Sequence, residues 1–193
     1  PAGLFAALLL ARSGYRPLVL ERGPALDERI RAVSHFEKTG ELNPNANIQF
    51  GEGGAGTFSD GKLTTRVGDP LCAFVTGAFL DHGAPADIAW RQKPHVGTDL
   101  LRDVIRSIRG EIESLGGEVR FNTALTGLQI RNGALTGIDT TAGSVACEQL
   151  ILAVGHSARD TFAMLHELGL PLACKPFSVG FRAEHLQTEI DKS

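Results

Sequence analysis

The sequence has few cysteines, and they show no pairing pattern. Cys72, Cys147 and Cys174 lie far apart, and no Cys-x-x-Cys occurs. This argues against a disulfide framework, a cysteine zinc site and a dithiol redox enzyme. An excess of either charge is also missing. The formal net charge is −3 over 193 residues, with no Lys/Arg block, so no nucleic-acid footprint is expected. Long apolar runs are absent as well. The longest, at 4–11, falls far short of the roughly 20 residues a membrane span needs. It has no basic n-region before it and does not read as a signal peptide. No internal repeat or low-complexity tract occurs. What remains is a composition of 42% hydrophobic and 21% charged residues, that of a globular protein, expected in a reducing cytoplasm. The chain opens on Pro-Ala-Gly rather than Met and stops just after the apolar run at 177–181. Both ends read as cut, so a fragment of a longer protein is expected.

The apolar pattern gives the order of elements. Residues 4–12 are Ala, Leu and Phe almost throughout, which describes a buried helix, with Gly14 as its C-terminal cap. "RPLVLE" follows as a short strand ending in Glu21, making a helix–turn–strand piece of a parallel α/β unit. A helical turn is expected at 27–34, then a polar loop, "TGELNPNAN". A second helix is expected at 70–82, closed by Gly83. The clearest amphipathic helix is 98–115, with Leu100, Leu101, Val104, Ile105, Ile108, Ile112 and Leu115 at helical spacing. Thr98 or Asp99 is its expected N-cap, and Gly116-Gly117 stops it. "EVRFNT" reads as a strand. Short strands then follow, divided by Asn132-Gly133, a hairpin signal, and by Ala142-Gly143. The apolar run 150–154 reads as a buried strand broken by Gly155, and 159–168 as a helix. A doubly wound sheet with an inserted antiparallel meander accommodates this order.

Three stretches carry chemistry. The first is the start. In a G-x-G-x-x-G unit the third glycine lets helix and strand pack closely, and the helix N-terminus faces a pyrophosphate. Pro1-Ala2-Gly3 fits the end of that motif, and Glu21 stands near the ~20-residue spacing of the ribose-binding acid. The first two glycines and the first strand would precede residue 1. The same stretch also describes an ordinary buried helix and a strand with a solvated Glu, and Arg22 beside it is either a surface charge or a nucleotide contact. The second stretch is "FGEGGAGTFSDGKL", with five glycines between 51 and 61. Gly53, Gly54 and Gly56 permit positive φ, so that backbone N–H groups can converge on an anion. Thr57 and Ser59 offer hydroxyls, and Lys62 a charge suited to a phosphate or an electron-rich ring. The P-loop spacing G-x-x-x-x-G-K-[ST] is not met, because Leu63 follows Lys62. Phe50, Phe58 and Leu63 would anchor this loop to a core rather than leave it a flexible surface segment. The third stretch is "LILAVGHSARD". Ligands in open α/β sheets sit at the carboxyl ends of strands, which places Gly155 at a ligand edge and makes His156 a candidate acid/base or, more simply, a structural residue.

Together these stretches resemble FAD-dependent oxidoreductases of the glutathione-reductase-like FAD-binding superfamily. "FGEGGAGTFSDGKLTTR" and "LAVGHSARDTFAML" look more narrowly like a family of bacterial FAD-dependent dehydrogenases. The resemblance implies a Rossmann-like FAD/NAD(P)-binding sheet over 1–175, lacking its first strand and its C-terminal segment, with 176–193 the start of a truncated substrate-side region. It implies Gly3 at the pyrophosphate and Glu21 on the adenosine ribose, with Arg22 over adenine or near a phosphate. Gly53, Gly54, Gly56 and Thr57 would lie on the flavin side, Ala124 and Leu125 at adenine, and Gly155 near the dinucleotide. Lys62 and His156 are the catalytic candidates. FAD is the expected cofactor, NAD(P)H an open partner, and no metal is expected; the substrate and the electron partners are not legible. An NAD(P)-dependent dehydrogenase and a non-catalytic, redox-sensing FAD protein are the alternatives.

Overall fold

The computed structural model describes residues 1–58, 61–63, 65, 67–91, 94–176, 179–181 and 183–192. The expected hydroxyl of Ser59 and part of the run at 177–181 lie outside these. Helix α1 (Ala2–Arg12) leads into strand β1 (Leu18–Leu20) and helix α2 (Leu26–Thr39). A 3-10 turn at Ala55–Phe58 precedes α3 (Cys72–Asp81), and a second at Ala86–Ala89 precedes α4 (Thr98–Ser114). Strands β2 (Glu118–Arg120), β3 (Leu125–Arg131), β4 (Ala134–Thr140) and β5 (Gly143–Ala146) follow. Helices α5 (Arg159–Glu167) and α6 (Gln187–Ile190) complete the order.

The pieces are held by packing more than by the sheet. Strands β1 and β2 pair in parallel, Val19 opposite Val119, and α1 and α4 lie against them and against each other. The stripe of α4 anticipated from its spacing turns inward: Leu101, Val104, Ile105, Ile108 and Ile112 are buried with Ala7, Leu8 and Phe79. Leu100 and Leu115, at the ends of that stripe, are exposed instead. Phe5 meets Phe79 edge-on at 5.3 Å. Helices α1, α3, α4 and α5 end alike. In each, the N–H of the third residue past the helix reaches back to a carbonyl five residues earlier: Tyr15 to Leu10, Ala84 to Phe79, Gly117 to Ile112 and Leu170 to Leu165. This is the Schellman closure that Gly14, Gly83, Gly116 and Gly169 make possible. The meander forms as anticipated, β3–β4–β5 antiparallel, with Asn132 and Gly133 both at positive φ in the hairpin.

Four expectations are corrected. The helical turn at 27–34 is a longer helix, Leu26–Thr39, ended by Gly40 at φ 77°. The N-cap of α4 is Gly97, not Thr98 or Asp99, and no side chain caps it. The doubly wound sheet reduces, among the described residues, to the pair β1–β2. Residues 150–154 are not a buried strand: no described strand lies beside them, and Ile151 and Leu152 are exposed. An apolar run forms a strand only where a neighbour takes its backbone groups. Ala153 of this run lies against Gly3 of α1.

Ile108 is fully buried at the centre of the core. Ile108→Ala is expected to lower unfolding free energy by about 3 kcal/mol, read by denaturant titration. A loss below ~1 kcal/mol would show that α4 is not the packing centre.

Candidate functional site

The glycine-rich segment folds around one side chain. Arg29 is fully buried on α2 and is not among the residues expected to form the site. Its Nη1 donates to the carbonyls of Glu52 (2.6 Å) and Gly54 (2.9 Å) and to the Thr57 hydroxyl (2.8 Å). Its Nε donates to the Asn47 carbonyl and its Nη2 to the Ile48 carbonyl, both at 3.0 Å. The guanidinium also lies over the ring of Phe58, at 4.6 Å, with Arg102 over the same ring at 4.9 Å. Burial pulls the Arg29 pKa down to about 10, against the opposing pull of Glu21 and Glu52. Glycine at position 51 follows from this arrangement, since a Cβ there would stand 2.5 Å from Arg29 Cδ.

Glu52 is the buried acid of the same segment. Its Oε2 accepts the N–H of Leu26 at 2.7 Å and so serves the first turn of α2. Arg109 Nε of α4 lies 2.8 Å from Oε1, close enough for an ion pair but outside hydrogen-bond alignment. Burial raises the Glu52 pKa, while the Leu26 N–H and Arg109 hold it back.

The two glycine stretches meet. A Cβ on Gly54 would stand 2.5 Å from Cδ of Pro1, which precedes the first turn of α1. Glu21 follows β1; its Oε1 accepts the N–H of Gly23 at 2.9 Å. Arg22 pairs with Asp160 at the start of α5, with its guanidinium 5.7 Å from the Phe50 ring centre. Nothing in the sequence pairs those two residues. Arg22 and Asn45 form a wall common to two neighbouring clefts. One, of about 340 Å³, is also lined by Ala124, Leu125, Thr141 and Met164. The other, of about 470 Å³, is lined by Glu28, Asn43 and Asn122 among others. The backbone of Ala124 is already engaged: its N–H donates to the Thr141 hydroxyl and its carbonyl accepts the Thr141 N–H, each at 3.0 Å. Gly53, Gly54 and Gly155 adopt positive φ; Gly56 packs towards Leu101, and Thr57 is buried. Lys62 is exposed on an isolated bridge to His95. His156 is exposed, its Nε2 3.3 Å from the hydroxyl of Ser157 in its own loop.

A second polar row lies elsewhere. The Ser107 hydroxyl is 2.8 Å from His82 Nδ1, and His82 Nε2 is 2.8 Å from Glu111 Oε2. Glu111 in turn accepts two hydrogen bonds from Arg12, at 2.7 and 2.8 Å. Hydroxyl, imidazole and carboxylate stand in nucleophilic order, but Ser107 is mid-helix, where backbone N–H groups are spent within the helix and cannot form an oxyanion hole. The row ties α1, α3 and α4 together. Hydrogen bonding from Arg12 holds the Glu111 carboxyl below its ordinary pKa. Such a group adds stability above its unfolded pKa and loses that contribution as pH falls through the folded value. Glu111→Gln is therefore expected to cost up to about 1 kcal/mol at pH 7, with the gap to wild type closing as pH falls below the ordinary carboxyl value and on through the lowered folded one. Thermal melts across that range check it; a gap that persists at acid pH would deny the charged pairing.

Among the described residues no group of three or more His, Cys, Asp or Glu side chains is arranged to hold a metal ion, and no helix is long and apolar enough to cross a membrane. A protein of Clostridium beijerinckii, described as an uncharacterized protein, is 51% identical over 191 residues, 99% of this chain. The chain spans 36% of that relative's length. Among solved structures, the glycine oxidase from Bacillus cereus aligns with a TM-score of 0.51 at 13% identity, over 86% of this chain and 57% of its own. At that identity the likeness is one of fold. Residues 101–192, from the second turn of α4 onward, match the family described as FAD dependent oxidoreductase, DAO.

Proposed function

We propose that this chain is part of an FAD-dependent dehydrogenase, with residues 1–175 forming most of an FAD-binding domain and 176–193 opening a substrate-side region. The observation that carries the proposal is the meeting of Gly54 with Pro1. It brings the glycine-rich segment to the N-terminal end of α1, where a dinucleotide phosphate is favoured by free N–H groups and by the helix dipole. The surrounding residues fit such a group. Gly3 lets α1 pack closely on Ala153, Gly53, Gly54 and Gly56 shape a backbone cradle that the buried Thr57 braces from beneath, and Gly155 lets the chain pass closely. Glu21 holds one carboxylate oxygen on Gly23 and offers the other to a ribose hydroxyl. Arg22, fixed by Asp160, forms with Ala124 and Leu125 the walls of a cleft for the adenine end. Because the Ala124 backbone is engaged by Thr141, that contact is one of shape rather than of backbone hydrogen bonding. FAD, when bound, supplies the hydride chemistry, and the protein supplies position, electrostatics and exclusion of water. Lys62 and His156 stand as the candidates for charge and proton handling. The cytoplasm is the proposed location.

The full-length protein is expected to purify with the visible absorption of a flavin and to bleach with a reductant. A colourless, folded preparation that takes up no added FAD would overturn the proposal, and tight NAD(P) binding without flavin would redirect it to a nicotinamide-dependent dehydrogenase. Bound flavin that turns over with no electron acceptor would make the protein a redox-sensing scaffold. Glu21→Gln is expected to weaken FAD binding about tenfold, roughly 1.5 kcal/mol, the range for a hydrogen bond to a charged group, read by flavin fluorescence titration. An unchanged Kd would return Glu21 to a turn-capping role.

A further inference from the structure

We infer that Arg29 is the positioning residue of the dinucleotide cradle: from behind the glycine-rich segment it turns the N–H groups of Gly53 and Ala55 toward the phosphates. The inference rests on the FAD reading above and adds to it the device that sets the cradle's geometry. In a trans peptide the carbonyl and the following N–H point in opposite directions, and the chain has no cis peptide bond. The carbonyls of Glu52 and Gly54 are drawn onto Arg29 Nη1 at 2.6 and 2.9 Å. The N–H groups sharing those two peptide planes, of Gly53 and Ala55, therefore point away from the guanidinium. Among the described residues neither of these N–H groups donates to another backbone carbonyl. Gly53 and Gly54 have φ of 81° and 71°, a path that glycine takes without strain, and the intervening Gly54 N–H is spent inward on the Gly51 carbonyl. Pro1 beside Gly54 sets this pair next to the first turn of α1.

The described hydrogen bonds of Arg29 all go to neutral acceptors, four carbonyls and the Thr57 hydroxyl. A planar fork of five donors suits that task, and a lysine ammonium with three does not. Arg29→Lys keeps the charge and loses the fork. Ala55→Pro removes one of the two presented N–H groups at the first position of a 3-10 turn, where proline is tolerated.

The test uses the full-length protein stripped of cofactor, with ADP and adenosine as probes, since they share adenine and ribose and differ in phosphate. In both variants ADP binding is expected to weaken on the order of tenfold while adenosine binding stays at the wild-type level, so the preference for ADP collapses. A role confined to stability would move both ligands together. If either folded variant keeps the wild-type ADP-to-adenosine ratio, the inference is overturned. If Arg29→Lys does not fold, Ala55→Pro decides alone. Wild-type protein that binds no FAD would instead defeat the FAD reading, which is a separate outcome.

Discussion

A guanidinium with no access to water must be hydrogen-bonded at nearly every N–H or it will not be tolerated in the interior. Arg29 meets that demand with the chain that follows it, and the rest of the glycine-rich segment follows from this. Its acceptors fall on residues 47, 48, 52, 54 and 57, so one side chain fixes the path of eleven residues. The glycine content then has separate local reasons. At Gly51 a Cβ would strike Arg29 itself, at Gly53 it would strike the Thr57 methyl, and at Gly54 it would strike Pro1. What composition alone describes as flexibility is a set of close approaches. The segment is glycine-rich because it is tightly held.

The constraint extends outward through charge. Glu52 sits in the clamped segment yet serves the first N–H of α2 and faces Arg109 on α4. Glu21 and Glu52 raise the pKa of Arg29 as burial lowers it, and Arg109 lowers that of Glu52 as burial raises it. Each buried charge reduces the desolvation penalty of the next, which is how an interior of this kind keeps its ions. Helix α4 carries the other half of the arrangement. Its apolar stripe packs on α1, and its arginines lie over Phe58 of the clamped segment and Phe121 beyond β2. The same helix therefore orders both the core and one wall of the candidate site.

The elements that packing alone determines were legible in the sequence. The α4 stripe, the Asn-Gly hairpin and the glycine helix ends each express a local rule, and local rules do not depend on distant partners. Residues 150–154 show the limit. Their apolarity was plain, but a strand is a relation between two segments, and no described strand takes up the pairing. The pairing of Arg22 with Asp160 was equally invisible, because nothing local links residues 138 positions apart. Arg29 did leave a trace. Leu26, Arg29 and Val33 fall on one helical face and are the buried residues of α2. A charged residue on the apolar stripe of a helix marks an internal acceptor cluster, and the carbonyl-rich glycine segment downstream was the natural place to seek it.

The clamp bears on affinity as well as on shape. A glycine-rich loop free in solution would lose about 1–2 kcal/mol of backbone entropy per residue on ordering around a ligand. Here the ordering is done during folding, by Arg29 and Thr57, before any ligand arrives. A cradle set in this way leaves more of the contact energy to appear as binding. It also separates two jobs that a flexible loop would have to combine. Arg29, Glu52 and the face of α4 hold the segment from the inside, while the outward N–H groups beside α1, together with Glu21 and the Arg22 cleft, are the groups proposed to meet the ligand. Substitutions on the inner side should therefore change how the site is presented, and those on the outer side should change what it prefers.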